Sequence, residues 1–291
     1  MLADAHIHLA DLLERDSDFP ERLGAAFSRP QGGRLWTACA AAHSSEEWAA
    51  TEALGARLPP FVASFGIHPQ WAVFDHADLL ARLASEGRIA AIGEAGFDFF
   101  GDRPERTRNP ENEAAQRAAF EYQLELAEKT GLALLLHLRK AMDLAFAYAP
   151  RFKRLRAVIF HSYPGSGEEA RAMLAKGVNA YFSFGAPVIN GNKRAQAACA
   201  AIPGDRLLSE TDAPWQPPRR STPRGEQVPA SLGRRPPGSP PADWCRPEDL
   251  ELVVEGMAAL RNAVRESQEA ALERNFASAF GLDPGRVETQ N

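Results

Sequence analysis

Several histidines and carboxylates in this chain fall where chemistry accounts for them better than packing does. His6-Ile7-His8 places two imidazoles at i and i+2. On a strand those positions share a side, so both rings face one way and Ile7 turns outward. Neutral imidazoles so placed present nitrogen lone pairs to one cation. His-x-His alone arises by chance, and paired structural histidines are then the plainer account. Here, however, His68, Glu94, His137, His161, Glu210 and Asp212 recur at the ends of later β-prone runs. Charged groups gathered in an interior need partners or a metal. The donors are nitrogen and oxygen without sulfur, which suits Zn²⁺, Mn²⁺, Fe²⁺ or Mg²⁺ and argues against a closed structural zinc site. They exceed what one cation with an open position needs. Two divalent cations bridged by a carboxylate use them economically, and such a pair ionises water and clamps the attacking and leaving oxygens of a displacement.

Residues so far apart in sequence meet only if regular elements carry them to one place. Eight short apolar or β-prone runs are legible: Met1–Ile7, Arg34–Ala40, Phe61–Ile67, Ile89–Gly93, Ala133–His137, Ala157–His161, Ala180–Phe184 and Arg206–Ser209. Helical patterns alternate with them, at Pro20–Ser28, Ser44–Leu58, His76–Glu86, Asn112–Thr130, Lys140–Ala149, Ser166–Lys176 and Asn192–Ile202; a last stretch, Pro247–Phe280, has room for two helices. Regular alternation implies parallel pairing through βαβ units. Eight units match an α/β fold of the TIM (β/α)8 barrel type, with the active site at the C-terminal rim of the strands. No glycine-rich dinucleotide or phosphate-loop fingerprint follows any strand, which disfavours a doubly wound nucleotide-binding sheet.

The 291 residues are read as one barrel domain, 1–291, interrupted by a Pro/Arg-rich loop at about 214–247 that carries ten prolines. It follows the eighth strand, on the face where barrel loops carry function. With 45% hydrophobic and 24% charged residues the chain is of ordinary globular composition, not fibrous or disordered. A net charge of −5 excludes a global electrostatic grip on nucleic acid or an anionic membrane, although local basic patches remain open. No apolar run could span a bilayer, the N-terminus lacks a secretory signal pattern, and the three scattered cysteines form no disulfide framework. A cytoplasmic monomer without membrane association is expected.

The motifs together resemble the TatD family of metal-dependent deoxyribonucleases, within the amidohydrolase-like barrels. Asp4-Ala5-His6-Ile7-His8-Leu9 is similar to the family's D-x-H-x-H-L, Gly66-Ile67-His68-Pro69 to GxHP, and Gly93-Glu94-Ala95-Gly96-Phe97-Asp98 to GEIGLD. Gln116, Phe120, Gln123 and Leu124 keep the Q-x3-F-x2-QL spacing. His137-Leu138-Arg139 resembles H-x-R, Glu210-Thr211-Asp212-Ala213-Pro214 resembles ETDAP, and Asn275 with Phe280-Gly281 matches the N-x4-FG terminus. Two departures bear on the substrate rather than on metal binding. His161-Ser162-Tyr163-Pro164-Gly165 stands where the family has H-x-F-S-G, and Arg219-Arg220-Ser221-Thr222-Pro223 with its long extension replaces an R-N-x-P element.

Position by position, the resemblance implies one cation on His6, His8, Glu94 and Asp212 and a second on Glu94, His137 and His161, with Glu94 bridging. Mg²⁺, Mn²⁺ and Zn²⁺ all fit. Asp212 would orient or deprotonate the attacking water, and Glu210 would sit beside the metals or position that water. His68, Arg139 and Tyr163 are the expected substrate contacts. The implied activity is a metal-dependent DNase cleaving phosphodiester bonds, an exonuclease on single-stranded or frayed DNA ends. The alternative is an amidohydrolase-like enzyme acting on an ester, amide or lactone. Trp71, Trp215 and Tyr163 could stack on a base or simply pack. The basic run Arg219, Arg220, Arg224, Arg234 and Arg235 could funnel an anionic substrate. His43 follows the second strand and could reach the rim, but a surface histidine before a helix is the plainer reading, and His76 reads as exposed helix.

Overall fold

In the computed structural model, which describes residues 1–27, 36–101, 106–219 and 244–282, eight parallel strands close on themselves in chain order. They are β1 (Leu2–Ile7), β2 (Trp36–Ala42), β3 (Val62–Phe65), β4 (Ala91–Asp98), β5 (Ala133–Arg139), β6 (Val158–Phe160), β7 (Ala180–Phe184) and β8 (Leu207–Ser209). The ring closes where Asp4 of β1 pairs with Ser209 of β8. This is a TIM barrel, as the alternation of elements implied. The helices among the described residues are α1 (Leu9–Arg15), α2 (Phe19–Phe27), α3 (Ser45–Leu54), α4 (Ala77–Ser85), α5 (Pro110–Thr130), α6 (Met142–Phe152), α7 (Gly167–Ala175), α8 (Lys193–Ala201), α9 (Leu250–Leu260) and α10 (Arg265–Phe280). None is long and apolar enough to cross a membrane.

β5 shows how the sequence builds the wall. Leu134, Leu136 and Leu138 belong to the outer core against the helices, whereas Ala133 and Leu135 belong to the barrel interior. The period of two then carries His137 inward at the top of the same strand. The interior cluster is sealed by Phe276 and Phe280 of α10, which pack with residues such as Ala3 and Leu208. Asn275 of the same helix donates to the carbonyls of Gly204 and Leu207, tying it to the start of β8.

Two strands break register where the chemistry-bearing residues lie. The β1–β2 ladder shifts between Asp4 and Ile7, and the β4–β5 ladder between Ile92 and Ala95. Such irregularities re-aim side chains. At β4 they need glycine: Gly93 and Gly96 have φ of +147° and +145°, and a Cβ on either would collide with the carbonyl of Leu135 or His137. The sequence pattern places Glu94 at the close of its strand; β4 instead continues to Asp98, because Ala95 through Asp98 keep pairing with Leu136 through Arg139.

α5 fixes two rim segments through its glutamines. Gln116 accepts from the Asp98 N–H at 2.8 Å and donates to the Asp98 carbonyl at 3.0 Å. Gln123 does the same for Ile67, at 2.8 and 3.0 Å. Each amide imitates a strand neighbour and satisfies backbone groups at Asp98 and Ile67, which holds the backbone leading into the rim.

Candidate metal centre

The C-terminal rim brings the widely spaced residues together around one carboxylate. Glu94, 1% exposed, faces His6 Nε2 (3.3 Å), His8 Nε2 (3.5 Å) and His43 Nε2 (3.1 Å) with Oε2. Its Oε1 faces His137 Nδ1 (2.9 Å), His161 Nε2 (3.5 Å) and, more distantly, His68 Nε2 (3.9 Å). Burial opposes its ionisation, yet the surrounding imidazoles, His6 foremost, hold its carboxyl well below the usual range.

Asp212 completes a cage on the Oε2 side. Its Oδ1 lies 3.6 Å from His6 Nε2 and 3.4 Å from His8 Nε2, and the two imidazole nitrogens are 3.1 Å apart. Four donors about 2.1 Å from a shared tetrahedral centre stand about 3.4 Å from one another. The five edges of this cage that involve an imidazole span 3.1 to 3.6 Å. The donor set therefore fits a divalent cation in size as well as in chemistry. Buried Asp212 is held down at about 2: burial opposes this, and the charges of His161, His6 and His8 with the His8 hydrogen bond prevail. Asp212 and Ser162 both adopt left-handed backbone, φ +55° and +43°, conformations in which non-glycine residues store strain and which cluster at functional sites.

On the Oε1 side, the second nitrogen of each imidazole is anchored. Asp98 Oδ2 is 3.0 Å from His137 Nε2, and Glu210 Oε2 is 3.0 Å from His161 Nδ1. A carboxylate behind a histidine fixes its tautomer and orientation, as found behind metal-ligating histidines. Glu210 thus acts through His161, with its other oxygen accepting from Ser162 N–H at 2.8 Å. Both oxygens are engaged in this way, and the side chain is fully buried. Asp4, pushed up to about 8 by burial, accepts from the His6 and Thr211 N–H groups and pairs with the Thr211 hydroxyl, joining the two ligand-bearing segments.

The remaining expected residues separate. His68 Nδ1 accepts from Gln70 N–H at 3.2 Å, so its proton is on Nε2 and the ring offers a donor to the site. Arg139 lies over the Phe100 ring at 3.8 Å on the wall of a cavity of about 950 Å3. Tyr163 borders that cavity. Its ring packs edge-on against Phe160, Phe182 and Phe184, and its hydroxyl donates to the Ser166 carbonyl at 2.9 Å. Trp71 and Trp215 stand exposed at the mouth, 62% and 46%.

Two site residues escape a reading of the sequence. His43, expected at the surface, contacts Glu94. β2 runs two residues beyond its expected end, and the inward alternation Cys39, Ala41 then continues to position 43. Gln216 donates to Asp212 Oδ2 and Ser162 Oγ, and nothing in its proline-rich surroundings marks it. Of the basic run, Arg219 is described, and Arg220, Arg224, Arg234 and Arg235 lie outside the described residues, as do residues 220–243 of the Pro/Arg-rich loop.

The profile of the family described as TatD related DNase matches residues 3–281. The chain belongs to the TatD family. A relative from a Pantoea species named 3'-5' ssDNA/RNA exonuclease TatD is 32% identical over 222 residues, covering 75% of this chain and 76% of its own. One of the same name from Erwinia billingiae is 30% identical over 237 residues, 79% and 82% of the two chains. Among solved structures, a TatD homologue from Escherichia coli k12 superposes with a TM-score of 0.72 at 23% identity over 97% of this chain and 98% of that one. A TatD family hydrolase from Entamoeba histolytica gives 0.74 at 15% identity over 96% and 97%. These structural likenesses place the TatD chain in the same barrel fold.

Proposed function

We propose that this TatD protein is a metal-dependent phosphodiesterase that removes nucleotides from single-stranded or frayed DNA ends. The carrying observation is the convergence of His6, His8, His137, His161 and Asp212 on Glu94 at the floor of an open cavity. When bound, a pair of divalent cations supplies an ionised water and draws charge from the phosphoryl oxygens. His6, His8 and Asp212 would hold one with Glu94 Oε2; His137 and His161 would hold the other with Oε1.

The chain's own groups do the rest. Asp212 stays ionised down to about pH 2, so an acceptor for the water's proton is present at working pH. Gln216 orients the other oxygen of that carboxylate. His68 offers Nε2–H toward the centre, a donor for a phosphoryl oxygen. Arg139 and Arg194 border the cavity and give it cationic walls suited to a polyanion despite the acidic total charge. Trp71 and Trp215 offer flat faces to unpaired bases. The name shared by the relatives, which covers single-stranded DNA and RNA, agrees with this substrate class.

The test assays DNA cleavage with Mg²⁺, Mn²⁺ and Zn²⁺, comparing the natural chain with Glu94→Gln and Asp212→Asn, and runs carboxylic esters, amides and lactones in parallel. Metal-dependent phosphodiester cleavage lost in both variants is expected. Turnover of carbonyl substrates without cleavage of DNA would overturn the reading.

A further inference from the structure

His43 carries the same signature as the imidazoles expected to bind metal, at a position outside the family motifs. Its Nδ1 is 3.2 Å from the Gly66 carbonyl, which can only accept, so Nδ1 bears the proton. In the neutral ring Nε2 then points its lone pair at Glu94 Oε2, 3.1 Å away. Two acceptors meet at that distance only with a positive charge between them. Histidines that ligate metals donate their other N–H to a carboxylate or a backbone carbonyl, which is how His137 and His161 are held by Asp98 and Glu210 and how His43 is held by Gly66. His68 has the opposite polarity and lacks the signature.

We propose that His43 is an additional nitrogen ligand of the cation on the Oε2 side of Glu94. The inference rests on the reading of this rim as a metal centre. Donors at right angles on an ion about 2.1 Å away stand about 3.0 Å apart, and opposite donors about 4.2 Å. His43, His8 and Glu94 offer ligand atoms all within 4.8 Å of one another. His8 Nε2 has one lone pair and cannot serve two ions, so His43 shares the ion that His8 and Glu94 Oε2 hold rather than building a third site with His8. The position on the Oε2 side thereby gains a third imidazole and exceeds four-coordination, which favours borderline transition ions over Mg²⁺ there.

The test strips metal from the full chain with a chelator and titrates Zn²⁺ and Co²⁺ into the natural protein, His43→Ala and His43→Asp. It follows calorimetric affinity, ions bound per chain and the visible Co²⁺ spectrum. The expected result is an unchanged number of ions, at least about a tenfold weaker affinity at one binding step in His43→Ala and an altered Co²⁺ spectrum for that ion alone. His43→Asp, which supplies an oxygen ligand, regains part of the affinity. The melting temperatures of the metal-free variants serve as the folding control, since loss of a ligand reduces only the metal-induced rise. Unchanged affinities and spectra overturn the proposal, as does loss of one whole ion per chain, which would mean a separate third site. A natural chain that binds no ion sinks the metal-centre reading itself.

Discussion

The two ends of the same barrel strands are built for opposite purposes. In its lower half the interior is small and apolar: Ala3, Ala5, Cys39, Ala91, Ala133, Leu135, Ala157, Ile159 and Leu208, plugged by Phe276 and Phe280. In the upper half the inward positions are His6, Glu94, His137 and His161, with Glu210 and Asp212 just beyond β8. The lower half satisfies itself by dispersion and the exclusion of water. The upper half gathers charged and polar groups that balance one another only as a set. Stability is therefore concentrated below and reactivity above, within strands of a few residues. The lower half needs a volume filled, whereas the upper half needs atoms within a few tenths of an ångström.

That contrast can be broken most severely at Glu94. Glu94→Gln keeps the shape but removes the charge that six imidazoles face, and metal-dependent cleavage should fall by about a thousandfold while thermal stability changes little. Turnover and bound metal measured on one preparation check this. The opposite result belongs to Leu135→Ala, two residues below His137 on the same inward face. It should cost about 3 kcal/mol of stability in a denaturant titration and leave activity per folded molecule intact. If Leu135→Ala instead abolished metal binding, the two halves would not be separable.

Glu210→Gln sharpens the division within the upper half. Because Glu210 acts through His161, one metal-binding step should weaken by about 10–100-fold with KM for DNA nearly unchanged; an equal effect on KM would argue for direct substrate contact.

The pH response follows from the same carboxylates. Burial disfavours the charged forms of His8 and His161, but Asp212 and Glu94 raise His8 to about 9, and Glu210 and Asp212 raise His161 to about 10. A cation must displace these protons, so metal affinity should rise by about tenfold per pH unit per proton displaced, up to those values. Calorimetry in buffers of different ionisation enthalpy counts the protons released. Without cations the linkage runs the other way. Folded values above the unfolded one of about 6.5 mean the imidazolium stabilisation is complete below about pH 6.5 and is lost as pH rises through about 9 and 10. The metal-free protein should therefore lose this contribution to its melting temperature over that window, and added Zn²⁺ should offset the loss.

The smallest effect is expected at the mouth. Trp71→Ala removes an exposed ring 5.4 Å from His68, and about 1 kcal/mol of single-strand binding should go with it. A fluorescence titration with an oligonucleotide, with kcat unchanged, checks this.

Residue type and period two make the barrel legible, because inward histidines recur at the ends of apolar runs and helices fill the intervals between them. The proline-rich segment has no such rhythm, so Gln216 is invisible in it. His43 escapes because the pattern ends β2 too early: Ala41 and Ala42 carry no alternation signal by which to extend it. The place of Tyr163 in a rim loop is legible, but the packing of its ring on Phe160, Phe182 and Phe184 is not.

From the chain alone came the list of donors, their chemistry and the parallel topology that sends them to one rim, since strand direction and side-chain alternation are local properties. Distances, the placement of Glu210 and Asp98 behind their histidines, and the contact of His43 with Glu94 were decided only by tertiary structure. The ladder shifts at β1 and β4 and the glycines flanking Glu94 set where each donor atom points, and such displacements arise from packing between strands that no single stretch of sequence contains.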